Sequence, residues 1–247
     1  MRRTGLWVGA VAIGCWAGAD LAAPVTVTLT PSKDNTLIES ATGSLSNGQG
    51  PLFVGRTNQP AGQSIRRALM EFDFSTIPAG ATVTSATLSL AVGQTHGVAQ
   101  SMSLFRVTQD WGEGASSGSG SGGQAMAGDA TWLHTFFNTS TWNSPGGDFA
   151  STASATTAVS GFAAQTWSSA QMAGDIQAWA ASPSTNFGWV LVGNETTNFT
   201  AYEFFSRESG ALGPSLSVTY NAAVPEPGAL ALVAAGAAPL LARRRRR

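Results

Sequence analysis

Two histidines, His96 and His134, one cysteine, Cys15, and fourteen carboxylates are the side chains with which this chain of 247 residues could do acid–base, nucleophilic or metal chemistry. Neither histidine neighbours a G-x-S-x-G turn, so a serine hydrolase has no scaffold to build on. Two histidines and a single cysteine fall short of the three or four closely spaced ligands that a zinc site takes. No glycine-rich strand-to-helix turn offers a dinucleotide cradle. A glycosidase requires two carboxylates about 5 to 9 Å apart across a cleft, and no pair here is marked by its surroundings. The chain reads as noncatalytic.

Binding chemistry is better represented. Six of the eight tryptophans lie between residues 24 and 224, and Trp179 and Trp189 sit in periodic segments that predict packing in a core. Trp132, His134, Phe136, Phe137 and Trp142 gather in one short stretch beside Asn138 and Asn143. They form either a sugar platform facing solvent or a folded-over apolar plug. Arg66, Arg67 and Arg207, the last followed by Glu208, make either a glycan clamp or a set of structural ion pairs. Asp34, Asp73 and Asp148 occupy oxygen-rich turns that would suit a structural calcium ion, although their spacing matches no EF-hand loop. The other reading of these three is that each accepts backbone hydrogen bonds in its own turn.

Both ends of the chain carry addressing patterns. Arg2 and Arg3 precede an apolar run and then small residues, the order of a secretory signal peptide ending near residue 23, with Cys15 inside its apolar stretch. A lipoprotein would need Cys15 as its acylated first residue, and Ala12-Ile13-Gly14 matches that processing site poorly. With the signal removed, the body holds no cysteine and forms no disulfide. At the other end, within residues 223–247, Val224-Pro225-Glu226-Pro227 leads into the apolar residues 228–242 and then five arginines, Arg243, Arg244 and three more. Arginines after an apolar segment halt translocation with the charge on the cytoplasmic side. Fifteen apolar residues fall short of the roughly 20 that span a bilayer comfortably, which favours a transient insertion into the inner membrane over a permanent anchor.

Between Pro24 and Val224 six basic residues face twelve acidic ones, a net charge of −6. Nucleic acid is excluded as a partner, because phosphate contacts need clustered bases. A polyanionic glycan would be repelled unless a cation bridges it.

These residues must be positioned by β structure. Period-two alternation recurs at residues 25–30, 67–74, 81–92, 102–108, 189–192 and 215–220, separated by clusters of Gly, Pro, Asn and Ser. Met172, Ile176 and Trp179 recur at helical spacing after a serine and predict one short helix. The expected fold is all-β: an antiparallel β-sandwich of jelly-roll type with one short helix, spanning residues 24–222 as a single domain. Residues 112–128 are rich in Gly and Ser without apolar periodicity, which predicts a mobile loop.

Two resemblances extend this reading. The run Val224-Pro225-Glu226-Pro227, apolar stretch and terminal arginines resembles the PEP-CTERM sorting signal that exosortase-type enzymes process in Gram-negative bacteria making extracellular polysaccharide. An ordinary tail anchor is the alternative. Asp34-Asn-Thr-Leu-Ile-Glu39, Ser44-Leu-Ser-Asn-Gly48, Arg66-Arg-Ala-Leu-Met-Glu-Phe-Asp-Phe74, Ile77-Pro-Ala-Gly-Ala-Thr-Val83 and Phe205-Ser-Arg-Glu208 resemble successive blocks of the DNRLRE-type domain. That domain is similar to carbohydrate-binding modules of some alginate lyases. Glu71 and Tyr202-Glu203 depart from its more basic pattern. Together the resemblances imply an exported, noncatalytic glycan-binding or matrix protein at the cell surface, with extracellular polysaccharide and an exosortase-type enzyme as partners. The competing function is a structural or adhesive surface protein that binds no glycan.

Overall fold

Strand-forming alternation is borne out in detail along Thr82–Leu90. Val83, Ala86, Leu88 and Leu90 are buried, whereas Thr82, Thr84, Thr87 and Ser89 turn outward, with a bulge at Thr84 where the pairing to Ser215–Asn221 skips a residue. The computed structural model describes residues 23–223 apart from His96. Residues 1–22 and 224–247, on which the expected signal peptide and sorting tail fall, and His96 therefore lie outside the described residues, which form one compact unit, Ala23–Ala223. Among the described residues no helix is long and apolar enough to cross a membrane.

Two antiparallel sheets make the sandwich. The smaller runs in the order Pro24–Leu29, Ser215–Asn221, Thr82–Leu90, Gln165–Ser168, so the first and last strands of the body lie side by side, Pro24 opposite Asn221. The larger runs Phe149–Val159, Gln100–Val107, Trp189–Val192, Ile65–Phe72, Leu52–Arg56, Tyr202–Phe204, Val92–Gln94, with Pro31–Ile38 also paired to Ile65–Phe72. Between the sheets lies the main core, to which Met70, Phe72 and Leu104 contribute from one side and Leu88, Trp167 and Val218 from the other. Each such side chain withdrawn from water contributes about 1.5–3 kcal/mol.

A single helix of more than two turns, Ala170–Ala181, closes one end of the sandwich among the described residues. It begins where Ser169 accepts the Met172 N–H in its hydroxyl oxygen at 3.0 Å, and it gives way to Pro183, which cannot continue it. Met172, Ile176 and Trp179 enter the core, as their spacing predicts. Asp175 is buried beside them, accepting from Trp189 Nε1 at 3.1 Å, from Gln171 Nε2 at 2.9 Å and from the Ser154 hydroxyl. This polar knot binds the helix to two strands of the larger sheet.

A second core lies on the outer face of that sheet. Leu37, Leu69, Val107 and Val190 point away from the main core and are covered by Trp111, Ala130 and Trp142 from the long segment between Val107 and Phe149. Strand Trp189–Val192 is thus covered on both faces, which corrects the alternation expected there: all four of its residues are apolar because neither face meets water freely.

The mobile loop expected over residues 112–128 is corrected here: the segment is pinned. Its strand Gly123–Gln124 pairs with Leu45–Ser46. Ser116 is buried and takes the Gly48 N–H on its hydroxyl and the Gln49 N–H on its carbonyl. The Gly118 N–H reaches Asn47 Oδ1 at 2.7 Å, and Arg66 Nε donates to the Gly120 carbonyl at 2.7 Å. Glycine and serine serve close backbone approach in this segment; a Cβ on Gly118 would meet the Gly122 backbone at 2.4 Å.

Candidate functional site

In the aromatic stretch that could have been platform or plug, Trp142 packs as a plug and Trp132 stays half-buried at a groove. Trp142 is only 5% exposed, sits in the second core and donates through Nε1 to the Thr131 carbonyl at 2.9 Å. It presents no ring to solvent, which corrects its assignment to a sugar platform. The cause is tertiary, since the apolar outer face of the larger sheet needs a cover. Trp132 is half-buried and lines an open groove of about 220 Å³ with Glu39, Leu133 and Pro145, while the Arg67 guanidinium lies 4.9 Å from its ring centre. His134 is held by the Thr131 hydroxyl, 2.9 Å from Nδ1, and its ring meets Phe137 edge-on at 5.4 Å.

The three arginines do structural work. Arg66 is fully buried, and besides Gly120 it donates to the carbonyls of Gln63 and Ile65 at 2.8 and 2.9 Å. Burial lowers its pKa to about 10. It has no exposed face with which to clamp a glycan, a correction that follows from its inward direction on Ile65–Phe72. Arg67 holds Glu195 in a two-pronged pair at 2.6 and 2.9 Å and also donates to the Gly146 carbonyl at 2.7 Å. Arg207 bonds Glu113 at 2.9 Å and lies 3.0 Å from Glu208. Arg67 and Arg207 thus each hold a carboxylate, and Arg67 besides caps the Gly146 carbonyl and lies over the Trp132 ring.

Asp34, Asp73 and Asp148 do not converge on one calcium site. Asp73 accepts the N–H and hydroxyl of Ser75 in its own turn. Asp148 accepts the N–H groups of Asn143 and Ser144 and the Gln109 amide. Asp34 is fully buried, its Oδ2 accepting the Arg207 N–H at 2.8 Å and its Oδ1 left without a partner. Burial pushes its pKa up to about 8, and the neighbouring Glu208 and Glu113 charges add to that rise. Among the described residues no three acidic, histidine or cysteine side chains group as metal ligands. The turn reading holds for Asp73 and Asp148. Asp34 instead joins the strand Pro31–Ile38 to Glu113 and Arg207.

The concave feature with binding chemistry lies elsewhere, where the strand Ile65–Phe72 runs out into Asp73-Phe74-Ser75 beside the C-terminal end of the helix. A cavity of about 580 Å³ opens there. Ile77, Ala79, Ala180 and Pro183 supply apolar wall, and Ser32, Glu71, Asp73, Ser75 and Asn186 supply polar groups. Asn186 fixes the strand end by donating to the Phe72 carbonyl at 2.8 Å. Trp179 stacks on Phe74 with ring centres 5.8 Å apart, and its Nε1–H finds no acceptor in the protein. Glu71 has an elevated pKa caused by burial and partly offset by Lys33, whose Nζ lies 3.1 Å from its Oε2. Lys33 is also held by Asp110 at 2.9 Å and the Trp111 carbonyl at 2.6 Å, which commits the Glu71 carboxylate to this pair. No lysine or arginine lines the cavity.

Sequence reasoning singled out Asp73 of this group but for another role, and it missed Asn186 and the wall. The visible signal was Glu71, a carboxylate in a run otherwise basic and apolar before Phe72-Asp73. Glu113 and Glu195, partners of Arg207 and Arg67, carried no local signal, because they lie 94 and 128 residues from those arginines.

No protein-family model matches the chain, and no curated protein matches it.

Proposed function

We propose that the chain is an exported, noncatalytic protein that binds glycan and is retained in extracellular polysaccharide, delivered there by an exosortase-type enzyme acting on residues 224–247. The observation that carries glycan binding is the cavity beside Asp73. Its volume of about 580 Å³ falls within the range of about 300–1,000 Å³ usual for small-ligand sites. Its lining pairs an apolar wall with hydroxyl, amide and carboxylate groups, the combination that matches a sugar's C–H face and its hydroxyls. The export half of the proposal rests on the sequence patterns of the two ends and on the resemblance to PEP-CTERM signals.

Screening the purified protein against a glycan panel, with and without calcium, tests the reading. Binding that is lost when Ala79, an exposed wall residue, is replaced by tryptophan supports it; absence of binding across the panel removes it. One observation favours the second reading, a structural surface protein without glycan binding. Five of the six body tryptophans are buried, and Arg67 stacks on the remaining one, Trp132. A protein retained in the matrix that binds no glycan on the panel would establish that alternative.

A further inference from the structure

We infer that Pro24–Leu29 is an edge at which two copies of this chain pair, strand against antiparallel strand, about a two-fold axis at Val27. The inference is independent of the glycan reading and adds a second copy of the chain as a partner.

A strand at the end of a sheet offers unpaired N–H and C=O groups to any strand that comes alongside, and proteins blunt it with a charge, a bulge, a short length or a cover. Pro24–Leu29 has none of these. Among the described residues it pairs only with Ser215–Asn221, over six residues without a register shift, and its one proline stands at the first position. The other sheet ends are each blunted. Val92–Gln94 has three residues, and Phe149–Val159 is bulged twice. Gln165–Ser168 is short, and the Thr157 hydroxyl of the neighbouring strand donates to its Thr166 carbonyl at 2.7 Å. Pro31–Ile38 carries a bulge, and Glu113 accepts its Asp34 N–H at 2.8 Å.

The inward side of this edge selects the occupant. Val25 is 41% exposed, and Val27 and Leu29 pack against the main core only partly buried, whereas Leu216, Val218 and Tyr220 on the adjacent strand are all buried. The core is unfinished along this edge, so what finishes it must be apolar on the inner face and polar on the outer. A second copy meets both demands. Directly opposed residues of an antiparallel pair share a face, and an axis at Val27 sets Val25 of one copy against Leu29 of the other and Thr26 against Thr28. Hydroxyl then meets hydroxyl, as the Thr26 and Thr219 hydroxyls already do at 2.9 Å. A slip of one residue would set apolar side chains against threonines and is disfavoured.

Charge permits the approach. No strand of the smaller sheet holds Lys, Arg, Asp or Glu, so the six basic and twelve acidic residues of the body lie elsewhere. Two bodies of −6 each can therefore meet where neither carries charge, while a basic partner would find no carboxylate on this sheet.

Sedimentation velocity on residues 23–223, the compact unit that holds both cores, tests the pairing over a range of concentrations. One strand pair falls short of the roughly 1,200–2,000 Å² of a stable interface, so a weak monomer–dimer equilibrium is expected. It should strengthen as salt screens the repulsion between the two bodies. Val25→Lys charges the edge at an exposed position and, entering twice by symmetry, should weaken the dimer about tenfold with the melting temperature unchanged. Ser217→Lys, on the outer face of the adjacent strand, should leave the dimer intact. Hydrogen exchange gives a readout without substitution: amides within residues 25–29 should gain protection as concentration rises, and those of residues 166–168 should not. A dimer abolished by Ser217→Lys and spared by Val25→Lys would overturn the inference in favour of stacked sheet faces. A chain that stays monomeric up to about 1 mM, or a dimer that weakens as salt rises, would overturn it outright.

Discussion

Asp34 shows what burial does to a carboxylate whose partners satisfy only one of its oxygens. Its pKa stands at about 8 against an ordinary 3.8, with desolvation as the main cause. Between those values the native state holds a proton that the unfolded chain has released, so the unfolded state binds fewer protons and stability falls as pH rises. The stabilising contribution is complete below about pH 4 and gone above about pH 8. Thermal melts across that window should show the decline, and Asp34→Asn, whose amide oxygen still accepts the Arg207 N–H, should flatten it. Burial raises Glu71, Glu113 and Glu203 as well, in the same direction. The two tryptophans of the aromatic stretch separate by a paired measurement at the same scale. Trp142→Ala should cost about 3–5 kcal/mol of stability. Trp132→Ala, removing a half-buried ring, should cost clearly less, and denaturant titration of both variants tests the contrast.

At the scale of elements, the turn entering Trp189–Val192 depends on one glycine. Gly188 has φ of +69°, and a Cβ there would lie 2.0 Å from the Met70 carbonyl oxygen. Gly188→Ala combines strain with a backbone clash at the centre of the larger sheet and should lower stability by about 2 kcal/mol or more, read as a drop in denaturation midpoint. The helix is tied down by polar as well as apolar contacts. Asp175→Ala would strip the acceptor from Gln171 and one acceptor from Trp189, and it would leave the fully buried knot incomplete. A loss of about 3 kcal/mol is expected, in the upper range for single substitutions. Should Asp175→Ala melt as wild type does, the knot is dispensable to the fold.

For the whole molecule, the two segments proposed as addresses flank in sequence a body whose terminal strands are neighbours in one sheet, Pro24 opposite Asn221. Replacing Pro225-Glu226-Pro227 by alanines should leave export intact and block processing, because the apolar stretch and arginines still halt the chain while the recognised break is gone. Immunoblotting of membrane and released fractions tests this; release at the normal level would remove the sorting proposal.

Strand alternation, the serine-capped helix and the segregation of charge toward the ends were legible in the sequence, because each arises from neighbours two to four residues apart or from bulk composition. Thus Thr82–Leu90 and Ala170–Ala181 appear where their patterns place them. Which aromatic ring meets solvent was not legible. Trp132 and Trp142 share a local setting, but Trp142 fills the second core and Trp132 lines a groove. The same limit hid the order in residues 112–128, whose glycines look like slack until Asn47 and Arg66, distant in sequence, bind their backbone. It also hid the cavity beside Asp73, where a strand end and a helix end more than a hundred residues apart supply the lining. Local patterns fix which face of an element is apolar; only the packed sandwich decides what covers that face and which polar groups are left looking into a cavity.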